Sequence, residues 1–277
     1  MYPAFSGGAI GVNVDFEEEV DLAARHAFEG VYLNPGYLAE EGPEAVCEML
    51  DERGLKAAGW NMPVRLTGNQ EEYERGLKRL GRIAEDCARA GGLRCSTWVS
   101  PASDERPYRE MFDLVLGRLN PVCRVLADHD IRLGLEFIGP KTSRESKTYE
   151  FIYDMEGMLS LCRAVETNNC GLLLDAWHLY TSGGEMEDVL ELSDSDIVNV
   201  HINDAPAGVP REEQIDNVRR LPGQTGVIDI PAFLSNLQQV GYSGPVMCEP
   251  FSERLKAMDD EEAVRETKSA MGSVWPG

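Results

Sequence analysis

Short apolar runs rich in β-branched residues alternate with longer, charged segments of helical periodicity from one end of the chain to the other. The predicted strands are residues 9–14, 30–34, 55–60, 93–99, 131–137, 170–175, 197–203 and 245–249. The predicted helices are residues 16–27, 44–52, 71–90, 108–130, 151–167, 186–192, 231–240 and 261–271. Eight strand–helix pairs in 277 residues match a (β/α)8 TIM barrel, because consecutive parallel strands need a crossover helix between them. We expect an α/β fold of this kind, with residues 1–277 forming a single domain.

A doubly wound open sheet is the alternative fold, since it uses the same alternation of strands and helices. Residues 13–16 follow the first predicted strand without a GxGxxG phosphate turn. Conspicuous polar residues end several late strands rather than marking one switch point, and no Pro-, Gly- or Ser-rich linker divides the chain. These features favour the barrel. The one long irregular connection, residues 204–226, is predicted to be functional.

Charge and cysteine content exclude several classes of function. With 26 Lys and Arg against 48 Asp and Glu, the formal net charge is −22, so a nucleic-acid partner is not expected. The apolar runs are strand-sized, and no basic segment precedes an apolar stretch at the amino terminus, so we expect neither a membrane protein nor a secreted one. Seven Cys without a CxxC pair are typical of reduced thiols, which predicts a soluble cytoplasmic protein.

Four successive predicted strands each end in an acidic residue or a histidine, namely Glu136, Asp175, His201 and Glu249. A single strand-end acid is usually a turn former or a helix cap. Four in a row predict a shared site, because the carboxyl ends of barrel strands converge on one mouth. Three carboxylates and an imidazole would repel one another or remain unpaired there, whereas one divalent ion would neutralise them. Carboxylate and imidazole ligands suit Mn²⁺, Mg²⁺, Co²⁺ or Zn²⁺.

The chain resembles the xylose isomerase-like TIM-barrel superfamily, which includes inosose isomerases, ketose 3-epimerases and nucleases of the endonuclease IV type. The matching stretches are LEFIG at 135–139, GLLLD at 171–175 with His178, HIND at 201–204, RRLPG at 219–223 with GVID at 226–229, and EPF at 249–251. The inosose isomerase branch is the most similar. The resemblance implies a TIM barrel in which Glu136, Asp175, His201 and Glu249 hold the metal, and Glu136 and Glu249 double as the catalytic acid and base.

The resemblance also implies substrate contacts. His178 would lie beside the substrate oxygens, and Arg219 resembles the substrate-binding arginine of the ketose epimerases. Those epimerases carry a glutamate six residues after their first ligand, where this chain has Thr142, which counts against a strict ketose 3-epimerase. Independently of the resemblance, Trp60 and Trp98 stand at predicted strand ends and could wall a sugar ring, although tryptophans at such positions are more often core.

The expected function is therefore that of a metal-dependent isomerase or epimerase of carbohydrate metabolism, acting on a keto-sugar or inosose through an enediolate. One alternative is a dehydratase of a keto-cyclitol or dehydroshikimate, which shares proton loss beside a carbonyl and then expels hydroxide. A second alternative is a non-catalytic barrel subunit that binds carbohydrate without metal. Expected partners are a small keto-sugar or cyclitol and, through loops at the barrel mouth, possible copies of the same chain in a homo-oligomer.

Overall fold

The computed structural model describes residues 1–277, and its centre is a closed barrel of parallel strands. The ten strands of the chain are β1 (Tyr2–Phe5), β2 (Gly30–Tyr32), β3 (Lys56–Asn61), β4 (Arg94–Val99), β5 (Ala102–Ser103), β6 (Arg132–Phe137), β7 (Tyr149–Glu150), β8 (Cys170–Asp175), β9 (Ile197–Ile202) and β10 (Pro245–Cys248). All except β5 and β7 form the barrel, in the order β1-β10-β9-β8-β6-β4-β3-β2. The predicted (β/α)8 fold is confirmed.

Helices surround the barrel. They are α1 (Gly7–Ile10), α2 (Phe16–Arg25), α3 (Pro35–Glu41), α4 (Pro43–Glu52), α5 (Gln70–Arg89), α6 (Tyr108–Ala127), α7 (Met155–Ala164), α8 (Ala176–Ser182), α9 (Ile230–Gln239), α10 (Glu253–Lys256) and α11 (Asp260–Val274). Side-chain caps fix several helix starts; the Asn69 side chain, for example, accepts from the Glu72 N–H and begins α5. Not one of these helices combines the length and apolar character that crossing a bilayer requires.

The first predicted strand, residues 9–14, is wrong. The chain has already left the barrel there, because Gly7–Ile10 form α1 and Gly11 ends that helix with a φ of 87°, which favours glycine. The true first strand, β1, pairs with β10 on one side and β2 on the other, and so closes the barrel. It has four residues, and one of them is Pro3, which lacks a backbone N–H.

Two helical predictions also need correction. Residues 151–167 contain a shorter helix, α7, because the Asp154 side chain accepts from the Gly157 N–H and caps its start. Residues 186–192 form a 3-10 helix, Met186–Glu191, whereas the helix that directly follows β8 is α8, which the sequence analysis missed.

One continuous apolar core of 68 buried residues lies between the barrel and its helices. A smaller cluster, Ala4, Tyr32, Ala58 and Met247, is contributed by β1, β2, β3 and β10. Next to it, Asn199 Nδ2 donates to the Tyr32 hydroxyl over 2.6 Å, which adds a buried polar contact. All seven cysteines are free thiols and five are buried, in keeping with a packing role.

Two features shape the mouth at the carboxyl ends of the strands. The short strands β5 and β7 pair antiparallel, which joins the loop after β4 to the loop after β6. The connection after β9 is irregular as predicted, with one 3-10 turn, Arg211–Glu213. Asp204 closes it: its backbone pairs with that of Arg220, and its carboxylate accepts the N–H groups of Ala205, Thr225, Gly226 and Ile228.

Candidate active site

A cavity of about 630 Å³ opens at the carboxyl ends of the barrel strands. Its wall includes three of the four strand-end residues, Glu136, His201 and Glu249, and also His178 and Arg219. Asp175 lies directly behind Arg219, whose guanidinium it contacts. The structure therefore brings the predicted chemical groups to one mouth, at the end of the barrel where TIM-barrel active sites form.

The four strand-end residues Glu136, Asp175, His201 and Glu249 form one compact cluster. Each offers a ligand atom, and these atoms all lie within 4.8 Å of one another. Glu136 belongs to β6, Asp175 ends β8, His201 belongs to β9 and Glu249 directly follows β10, so four separate strands position the cluster. Three of the four residues are buried.

Several polar atoms of this cluster are buried without a hydrogen-bond partner. They are Glu136 Oε1 and both ring nitrogens of His201. His201 Nδ1 lies 3.7 Å from Glu136 Oε1 and 3.5 Å from Glu249 Oε2. Buried polar atoms normally have partners, so unsatisfied carboxylate and imidazole atoms at one point fit the ligand set of a divalent ion.

The surroundings shift the pKa values of Glu136 and Glu249 in opposite directions. Burial and the charges of Glu249 and Asp175 raise the pKa of Glu136 well above its usual range. Burial also acts to raise the pKa of Glu249, but His201 and Arg219 outweigh it and hold that pKa below its usual value. Two carboxyls whose pKa values are pushed apart are a common arrangement for acid and base roles.

Asp175 is a member of the cluster that also caps a helix and binds a neighbouring side chain. Its Oδ1 accepts the Trp177 N–H at 2.7 Å and so caps α8, while Oδ2 accepts from Asn203 Nδ2 at 3.0 Å. The Asn203 Oδ1 in turn accepts the Glu249 N–H at 2.8 Å. Asn203 therefore ties two members of the cluster together. The sequence analysis missed this role, and the only available signal was its position two residues after His201.

Arg219 is a buried counter-ion for the cluster. Its guanidinium carbon packs over the rings of Trp177 and Phe251, 4.7 and 4.8 Å from their centroids. Nη1 donates to Asp175 Oδ2 at 2.8 Å and to Glu249 Oε2 at 3.2 Å. Nη2 donates to Asp216 Oδ1 at 3.1 Å. Although burial opposes it, the nearby carboxylates raise the pKa of Arg219 further, so the charge is permanent.

His178 lies between two donors. Its Nδ1 is 3.1 Å from the Gly139 N–H, and its Nε2 is 3.0 Å from Arg219 Nη2. Burial, together with Arg219 and His201, lowers the pKa of His178 well below its usual value, which makes the ring neutral. A neutral imidazole has one acceptor nitrogen, so only one of these two contacts can be a hydrogen bond. Gly139 allows the close packing, because a Cβ there would lie 2.1 Å from the His178 carbonyl oxygen.

The two tryptophans predicted to contact substrate, Trp60 and Trp98, lie in different parts of the structure. Trp98, at the end of β4, lines the cavity and is 54% exposed. Trp60 does not line it, and the prediction of a substrate contact is wrong for this residue. Its ring is fully buried in the core between barrel and helices, and its Nε1 donates to the Gly92 carbonyl at 2.9 Å. Because its N–H already has a hydrogen-bond partner inside the core, the Trp60 indole belongs to the core packing and not to the cavity wall.

Two further cavity residues were not predicted. Asp216, in the irregular connection, carries a carboxylate three residues before Arg219, a spacing that could have suggested an ion pair. Phe251 has a φ of 41°, uncommon for a residue with a bulky side chain, and its ring covers Arg219. Backbone strain of this kind concentrates at functional sites, but no sequence pattern announces it.

Comparison with known proteins agrees with this geometry. A family model described as xylose isomerase-like TIM barrel matches residues 20–273. The inosose isomerase of Bacillus velezensis is 23% identical over 272 residues, which covers 95% of this chain and 92% of that protein. The 3-dehydroshikimate dehydratase of Pseudomonas aeruginosa is 27% identical over 194 residues, covering 70% of this chain and 28% of that protein.

Solved structures share the whole barrel. A xylose isomerase domain protein from Alicyclobacillus acidocaldarius superposes with a TM-score of 0.88 at 28% identity, covering 99% of this chain and 98% of that one. The IolI protein with a bound zinc atom superposes with a TM-score of 0.83 at 21% identity, with the same coverage.

Proposed function

Because the chain belongs to the xylose isomerase-like TIM-barrel family, we propose that it is a divalent-metal-dependent isomerase or epimerase of a keto-sugar or inosose. The observation that carries this proposal is the cluster of Glu136, Asp175, His201 and Glu249, whose ligand atoms lie within 4.8 Å of one another with three atoms left unpaired. The similarity to an inosose isomerase over nearly the whole chain supports the reaction class.

These four residues would hold one divalent ion. Bound there, the ion would supply a Lewis acid that stabilises negative charge on substrate oxygens. The zinc atom in the IolI structure supports a metal of this type, and the donor set is compatible with Mn, Mg, Co or Zn. Arg219 would hold Asp175 and Glu249 in place through its Nη1 contacts.

Glu136 and Glu249 would move the proton. Both lie close to one atom of His201: its Nδ1 is 3.7 Å from Glu136 Oε1 and 3.5 Å from Glu249 Oε2. A substrate C–H beside a carbonyl can lose its proton to a carboxylate oxygen of one glutamate. Return of that proton to the neighbouring carbon gives isomerisation, and delivery by the other glutamate to the opposite face gives epimerisation. His178 and Trp98 would contact the sugar hydroxyls and the ring face, respectively.

A dehydratase is the second candidate function, favoured by the match to a 3-dehydroshikimate dehydratase. It would use the same proton abstraction and then release hydroxide from the adjacent carbon. A metal-free carbohydrate-binding subunit is the remaining alternative. The three acids Glu136, Asp175 and Glu249 argue against it, because they lie close together and Arg219 is their only cationic neighbour.

The test is proton exchange. Protein loaded with Mn²⁺ and incubated in D₂O with ketoses, inososes and dehydroshikimate is expected to place deuterium on a carbon beside the carbonyl of one of them. Loss of water from a substrate, detected by mass spectrometry, would instead identify a dehydratase. If no member of a broad panel exchanges a proton or loses water, both enzyme functions are contradicted.

Matched variants locate the chemistry. We expect Glu249→Gln to lower the exchange rate at least about 100-fold, since the loss of one acid–base group typically costs 10²- to 10⁴-fold. Glu253→Gln is the control, because this nearby glutamate is highly exposed and pairs only with Lys256. Equal rates for both variants would remove Glu249 from the mechanism.

We also propose that residues 1–277 act as one domain, since one core spans the chain. The cytoplasmic location and a homo-oligomeric state stay predictions.

A further inference from the structure

The cavity contains a single cationic side chain. Among the residues that line it, Arg219 is the only Lys or Arg. A substrate that carried a phosphate or carboxylate group would need a cation with free donors, because burying an unpaired anion is costly. Whether Arg219 could serve depends on how many of its own hydrogens are free.

No N–H group of Arg219 is free to bind a ligand in the cavity. Nη1 donates to Asp175 and Glu249, and Nη2 donates to Asp216 while it also faces His178. Nε is buried and has no partner. A guanidinium used in this way cannot form the two parallel hydrogen bonds by which arginine usually grips a phosphate or carboxylate.

Asp216 is the carboxylate that completes this arrangement from the cavity side. It lines the cavity, and its side chain is 26% exposed, whereas Arg219 is 2% exposed. Asp175 and Glu249, the other carboxylates on Arg219, belong to the proposed metal cluster. Asp216 does not, so its charge can be removed without removing a proposed ligand.

The charges around the cavity give a net negative wall. When a divalent ion is bound and all four carboxyls are ionised, four negative charges surround the cavity, on Glu136, Asp175, Asp216 and Glu249. Against them stand one positive charge on Arg219 and two on the ion. One negative charge remains, and an anionic substituent anywhere in this cavity would be repelled by it. Without the carboxylate of Asp216 the balance is zero.

Taking the proposed function as its premise, we propose that Asp216 is a specificity-determining residue that selects uncharged polyhydroxy ketones and excludes their phosphorylated counterparts. It does so in two ways: it occupies the Arg219 Nη2 hydrogen that an anion would use, and it adds a negative charge to the wall. Neutral hydroxyl groups of a sugar or cyclitol are not repelled, since they can donate to Asp216.

Titration calorimetry of the Mg²⁺-loaded protein with sulfate tests the proposal, because sulfate is a compact dianion that stands for a charged substituent. Wild type is expected to bind sulfate weakly, and Asp216→Asn to bind it at least about tenfold more tightly, since a unit charge at this range is worth a large factor in a partly buried site. Glu213→Gln is the matched control: it removes the same charge from an exposed position in the same connection and should change sulfate affinity less than twofold.

A second arm compares a ketohexose with its 6-phosphate, and Asp216→Asn should shift the affinity ratio toward the phosphate by a similar factor. Asp216→Ala repeats both arms in case the asparagine variant folds poorly, and circular dichroism checks each protein. Equal sulfate affinity in wild type, Asp216→Asn and Asp216→Ala would overturn the proposal, as would tight sulfate binding by wild type. Absence of deuterium exchange with every substrate, with the sulfate result intact, would instead contradict the proposed reaction.

Discussion

Asn203 contributes no ligand to the proposed metal site, but it connects two of the residues that would form it. Its amide donates to Asp175 and accepts from the backbone of Glu249, and it is fully buried. Groups that orient ligands in this way typically change metal affinity 10- to 100-fold when they are removed. The side chain thus sets the separation of two carboxylates that come from different strands.

We predict that Asn203→Ala lowers the affinity for Mn²⁺ by about 10- to 100-fold, measured by competition with a fluorescent chelator. Asn236→Ala is the control, because the Asn236 side chain donates a hydrogen bond to the Met186 carbonyl but lies outside the cavity. Equal affinities in the two variants would show that Asn203 does not position the ligands.

For individual residues, the sequence predicts some positions of the candidate site and not others. Glu136 and Glu249 stand out because each ends an apolar strand, which is a local pattern. Whether Trp60 faces the mouth or the core depends on packing against Gly92, which is distant in sequence. The contacts of Asp216 and Phe251 with Arg219 likewise depend on how an irregular connection folds, and short-range periodicity carries no information about that.

Among the elements, the connection after β9 relies on one carboxylate. Asp204 is fully buried and accepts four backbone N–H groups, two on each oxygen, from both ends of the connection that carries Asp216 and Arg219. Its loss would leave buried donors unsatisfied, at about 1 to 3 kcal/mol each.

We predict that Asp204→Asn lowers the free energy of unfolding by about 2 to 4 kcal/mol, because its amide nitrogen would face two backbone donors. Urea denaturation measures this loss. The same substitution at Asp229, which caps α9 with one hydrogen bond to Ala232, should cost about 1 kcal/mol or less. A loss at Asp204 no greater than that at Asp229 would contradict the assigned role.

Element prediction succeeded where the pattern was local. Seven of the eight predicted strands coincide with barrel strands, since buried parallel strands appear as continuous apolar runs. It failed at β1, where Pro3 and a length of four residues weaken the signal, and at α8, whose start is fixed by Asp175, a residue that the sequence already assigned to chemistry.

For the whole molecule, binding of the proposed ion would be coupled to folding, since the cluster of Glu136, Asp175, His201 and Glu249 comes from four barrel strands. An ion at 100 times its Kd stabilises a folded protein by about 2.7 kcal/mol. For a chain of this size we therefore predict that Mn²⁺ raises Tm by about 5 to 10 °C over chelator-treated protein, measured by calorimetry.

Two controls separate a specific site from general screening of the net charge of −22. KCl at matched ionic strength should raise Tm by less than Mn²⁺ does, and Glu136→Gln should lose most of the Mn²⁺ effect. A Tm increase of the same size in Glu136→Gln would place the stabilising ion elsewhere on the surface.

The antiparallel ribbon of β5 and β7 has a mechanical consequence for the rim. Ala102 pairs with Glu150 and Ser103 with Tyr149, so two loops from different barrel strands share backbone hydrogen bonds beside Trp98. Displacement of either loop must drag the other or break the ribbon. We therefore expect the length of one loop to constrain the length of the other.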